Sequence, residues 1–125
     1  MAGDPLRTLR FTLFEDLCPV ELKKSFLVEI RKVRGQEPTV VPGKQYAVRG
    51  RYVTQGTAVR TLCLSSHGRS TGKSTDVHEG SGDFEVTAEV LEVTPGREKV
   101  LDLLMFGADG KELGVRVRLS LEGGQ

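Results

Sequence analysis

Five stretches of this chain alternate apolar and polar residues with period two, and the last, Leu113 to Leu121, does so almost without interruption. Successive strand side chains point to opposite faces of a sheet. This spacing therefore sets Leu113, Val115, Val117, Leu119 and Leu121 on one face, with Arg116, Arg118 and Ser120 on the other. That is the signature of a half-buried antiparallel strand.

The same reading repeats up the chain. Leu9, Phe11 and Leu13 alternate in a first strand from Leu6 to Phe14, and Phe26, Val28 and Ile30 in a second from Ser25 to Val33. Glu15 to Lys24 breaks the pattern and reads as a connection with one helical turn near Pro19. From Gln45 to Thr54, Tyr46, Val48, Gly50 and Tyr52 face one way and Arg49 and Arg51 the other. Gly50 in mid-strand marks a close backbone approach or a bulge. Gln55-Gly56 suggests a hairpin into Thr57 to Leu64. Asp83 to Val93 places Phe84, Val86, Ala88 and Val90 opposite Glu85, Thr87 and Glu89, and its phase slips at Leu91 and Val93, as a β-bulge would cause. Lys99 to Phe106 is apolar on both sides apart from Asp102, so it should be a central strand covered on both faces. Pro42-Gly43, Pro95-Gly96 and Asp109-Gly110 supply turns.

Seven strands at short spacing, with no helical period beyond two turns, predict an all-β antiparallel fold. The pattern resembles, in architecture, a two-sheet sandwich of the immunoglobulin or fibronectin type, although the chain has no Trp for the usual core. A small closed β-barrel is the alternative. At 125 residues the chain is read as one domain, 1–125. Ser65 to Gly82, rich in Ser, Thr and Gly, is expected to be a long flexible loop because it has little surface to bury, and residues 122–125 a frayed tail.

No apolar run approaches the roughly 18 residues that span a bilayer, and no signal peptide is visible, so the expected location is cytoplasmic. Residues 1–60 carry eleven Lys/Arg against six Asp/Glu, and residues 61–125 carry seven against eleven. Basic and acidic strands that neighbour one another in the sheet would offset this asymmetry. A head-to-tail assembly of two-signed molecules is the sharper reading. Cys18 and Cys63 lack metal-like or redox spacing and are expected to be free thiols.

The chemical motifs thin out under scrutiny. Gly68 to Thr75 looks like a phosphate loop, but Gly68 stands one residue too close to Gly72 and no helical pattern follows. Cys63, His67 and His78 match no compact zinc ligand spacing, so no metal or other cofactor is expected. Ser65-Ser66-His67 sets a nucleophile beside a base without an orienting carboxylate, which leaves a small hydrolase as the least favoured reading. Asp83, Glu85 and Glu89 alternate along one strand as solvated residues do. Tyr46 and Tyr52 sit on the inward face, where they offer no platform to a sugar or a base.

By exclusion, the expectation is a non-enzymatic module that binds another protein or a second copy of itself. Recognition is assigned to the 65–82 loop through His67, Arg69, Lys73 and His78. Arg49 and Arg51 form a second surface that would meet an acidic partner or, in an alternative reading, nucleic acid or another polyanion.

Overall fold

Alternation turns into burial along Gly80–Glu92: Phe84, Val86, Ala88 and Val90 are buried, whereas Asp83, Glu85, Thr87 and Glu89 are exposed. The computed structural model describes residues 6–16, 26–55, 59–66, 68–107, 109–110 and 112–124. Among them lie nine strands and no helix: β1 (Arg7–Asp16), β2 (Phe26–Gly35), β3 (Gln45–Thr54), β4 (Thr61–Ser66), β5 (Arg69–Lys73), β6 (Thr75–Asp76), β7 (Gly80–Glu92), β8 (Val100–Phe106) and β9 (Glu112–Gly124). The helical turn expected near Pro19 lies outside the described residues.

All nine strands join in one antiparallel sheet of order β5-β7-β3-β2-β1-β9-β8-β4-β6. Its two terminal strands, β5 and β6, are separated in the chain by Ser74 alone. The ends of the sheet must therefore meet, and β4 lies against β5 and β7 as well as β8. The sheet curls into a nearly closed barrel. Alternation distinguishes inside from outside but not one curled sheet from two stacked ones, which is why the barrel stood only as the alternative to a sandwich.

The interior is lined by the predicted faces: Tyr46, Val48 and Tyr52 of β3, Phe84, Val86, Ala88 and Val90 of β7, Leu101, Leu103 and Met105 of β8, and Val117, Leu119 and Leu121 of β9 are buried together. Each large side chain so buried contributes about 1.5–3 kcal/mol. β8 is covered on both faces as expected, with Val100 and Asp102 buried opposite the core side. Leu13, by contrast, is 62% exposed although its alternation suggested an inward face. The Asp-Gly turn joins β8 to β9: Gly110 has φ +78°, and its amide donates to Gly107 O at 3.0 Å.

Both anticipated irregularities are present. Arg69 pairs with Glu92 and Ser70 with Val90, so Leu91 is the extra residue of a bulge. Ile30 pairs with Gly50 and Lys32 with Arg49, leaving Arg31 extra on β2. A Cβ at position 50 would overlap the Glu29 carbonyl and press on the Phe84 ring, so only glycine fits that approach.

Three expectations need correction. The 65–82 segment is not a flexible loop: its ends lie in β4 and β7, and β5 and β6 fall between. The 122–124 tail is the end of β9, whose Gly123 and Gly124 pair with Arg10 and Leu9. β4 forms no hairpin with β3 but lies between β8 and β6. The reason is common to the first two. Such residues bury little side-chain surface, and their order comes instead from backbone bonds to a neighbouring strand edge.

Candidate functional site

Antiparallel register assembles one charged outer face from β2, β3, β7 and β5. Lys32 stands beside Arg49, Glu29 beside Arg51, Arg49 beside Glu85 and Arg51 beside Asp83. Glu85 Oε2 accepts from Arg34 at 2.9 Å and from Arg49 at 3.1 Å, so one carboxylate oxygen serves two guanidinium groups. Arg51 reaches Ser81 Oγ at 3.1 Å and Asp83 more loosely at 3.9 Å. The bulged Arg31 donates to Glu29 at 2.8 Å, and that carboxylate raises the arginine's pKa further above its usual value. The charge asymmetry between the halves of the chain is thus offset across strands, as the simpler reading expected.

The residues anticipated at the rim do not form one cluster. Arg69 lies at one end of β5, 3.1 Å from Glu92. Lys73 lies at the other end, opposite Thr87 and two residues along β7 from Glu85. His78 follows β6, its side chain exposed and its amide bonded to the Tyr52 hydroxyl at 3.1 Å. His67 lies outside the described residues. Arg49 and Arg51 share the outer face of β3, whereas Lys73 stands two strands away, opposite Thr87, which pairs with Ala47, and Arg69 stands at the far end of β5. Between the rows lies an open depression of 460 Å³ lined by Arg31, Arg49, Thr75, Asp83 and Glu85. A second, of 600 Å³, lies around Gln45, Lys73, Thr87 and Glu89.

Arg31 and Arg34 belong to the basic set Arg31, Lys32, Arg34, Lys44, Arg49, Arg51 and Arg60 that the sequence offers to nucleic acid, but plain alternation does not place Arg34 beside Arg49. The signal was there: Ile30 and Val33 are both apolar at odd spacing, which marks a bulge and turns Arg34 onto the face of Arg49 and Arg51.

The hydroxyl cluster has a structural task. Ser66, 3% exposed, accepts from the Gly68 amide at 3.3 Å, and its own proton is shared between the carbonyls of Glu92 at 3.2 Å and Arg69 at 3.3 Å. Ser70 accepts from the Ser66 amide and donates to Ser65 Oγ at 3.1 Å. These bonds fasten β4 to the ends of β5 and β7. The segment that resembled a phosphate loop places Gly72 and Lys73 inside β5, paired with Ala88 and Thr87. Tyr46 accepts from the Val41 amide and donates to the Thr39 carbonyl, and burial raises its pKa. Cys63 is a free, half-buried thiol whose pKa is raised by desolvation. Cys18 lies outside the described residues.

Among the described residues no three His, Cys, Asp or Glu side chains gather as a metal site, and no helix is long and apolar enough to cross a membrane. Comparison with known protein families, curated proteins and solved structures finds no match for this chain.

Proposed function

We propose that this chain is a non-enzymatic binding module whose partner is another protein, contacted through the outer face of β3, β7 and the segment that closes the barrel. One observation carries this reading. Arg69, Lys73 and His78 are exposed side chains on a fixed backbone: β5 is paired with β7, β6 with β4, and the His78 amide is held by Tyr52. Polar groups on a rigid frame lose little freedom when a partner binds, which favours recognition. The recognition set moves accordingly from a loop to the face of a strand.

The polyanion alternative draws on the same arginines, yet Arg49 and Arg51 face Glu85 and Asp83 of their own chain. As to the fold, the short pairing of β1 with β2 over Arg7–Leu9 supports a barrel flattened into two leaves, β5-β7-β3-β2 and β1-β9-β8-β4-β6. That would be a sandwich-like shape within one continuous sheet.

A photo-crosslinking residue at Lys73, compared with one at the exposed Lys99, tests the proposal in the native cell. The expected result is a covalent adduct to a different protein from position 73 and not from 99. Adducts to nucleic acid alone, or none, would refute it. An adduct to the chain itself would replace it with the self-assembly form.

A further inference from the structure

We infer that the partner presents an acidic segment to the face formed by β2, β3 and β7, and that Glu85 is an internal competitor for that segment. This rests on the protein-binding reading above and names the chemistry of its partner.

The face carries more positive than negative groups. Arg31, Lys32, Arg34, Arg49 and Arg51 project from two adjacent strands, against Glu29, Asp83, Glu85 and Glu89. Lys32 makes no ion pair among the described residues. Arg34 and Arg49 converge on a single oxygen of Glu85, so neither guanidinium makes the two-bond fork a carboxylate would complete. Glu85 therefore shows where a carboxylate sits while leaving donor capacity unused. Its side chain is 37% exposed and that of Arg49 53%, so an incoming carboxylate can reach the pair and displace it. The 460 Å³ depression beside them gives a peptide room.

Other occupants fit less well. Phe26, Tyr46, Tyr52 and Phe84 are all buried, so these strands offer no aromatic platform on which a single-stranded nucleic acid could stack. A second copy would bring Asp83 and Glu85 already paired with their own arginines, and the exchange would trade equal contacts. An acidic segment from a different protein brings carboxylates with no such prior claim.

The test is fluorescence anisotropy with a labelled oligo-glutamate peptide, with labelled single-stranded oligo-thymidine as a second probe. Oligo-glutamate should bind the intact chain at low salt and be released by added salt. Glu85→Gln should tighten binding about fivefold, because two exposed ion pairs no longer compete. Glu89→Gln removes the same charge from the same strand, where no arginine is paired with it, and should leave affinity nearly unchanged. Arg34→Ser with Arg49→Ser should weaken binding about tenfold. Equal tightening by Glu85→Gln and Glu89→Gln would overturn the inference, since only net charge would be acting. So would indifference to the arginine substitutions, absence of binding, or tighter capture of oligo-thymidine. In any of those cases a heterologous protein adduct at Lys73 would still uphold the broader reading, so the two can fail separately.

Discussion

Asp102 and Arg118 face each other across β8 and β9, on the side away from the core, with 2.9 Å between Oδ1 and Nε and side chains only 5% and 10% exposed. Breaking such a pair leaves a buried charge without its counter-charge, whereas replacing both members with apolar groups removes the problem. Arg118→Ala, which strands the buried Asp102, should therefore cost about 3–5 kcal/mol in urea unfolding, and Asp102→Leu with Arg118→Leu far less. Tyr46 sets a pH limit instead. Because burial raises its pKa above 10.0, the folded chain holds the phenolic proton more tightly than the unfolded chain does. That stabilisation is complete below pH 10 and is lost as pH rises past it. The urea midpoint should fall as pH rises past about 10, and Tyr46→Phe should flatten the fall while costing roughly 1 kcal/mol at neutral pH through its lost bonds.

Among elements, β5 is the one whose behaviour best separates a strand from a loop. Arg69 and Lys73 are exposed and, in a flexible loop, would be early trypsin sites. Paired to β7 over Arg69–Lys73, they should resist cleavage under native conditions. Limited digestion read by mass spectrometry decides this, and rapid cutting after Lys73 would contradict the nearly closed barrel. Gly72→Val should restore cleavage, because any Cβ at position 72 overlaps the Thr87 carbonyl and Ala88 Cα. These elements also show where sequence reading stops. Strands with one apolar face, such as Tyr46 to Thr54 and Phe84 to Val90, were legible in advance, and so was the bulge at Leu91. The charged outer face could be half read: Arg49 and Arg51 were placed correctly, but Arg34 joined them only through the bulge at Arg31. β5 and β6 were illegible, since Ser70, Thr71 and Gly72 carry no apolar stripe and are ordered by the edges they lie between.

The whole molecule depends on pairings distant in sequence: β1 with β9, and β3 with β7. Closing such loops costs entropy before the contacts reward it, so refolding from urea should take milliseconds to seconds, slower than for a helical bundle of this length. Stopped-flow refolding followed through the tyrosines measures it, and a microsecond phase carrying the full amplitude would argue against this topology. Ser74 has a further consequence. It is the sole link between the two ends of a hoop, and on one side of it the chain is locked in step with β7, on the other with β4. One residue more or fewer at this point would throw Val77 out of the interior or pull β5 out of step. The stretch can therefore exchange one small polar residue for another with little harm, yet it has almost no latitude in length. Among surface segments of this composition, that is the reverse of the usual tolerance.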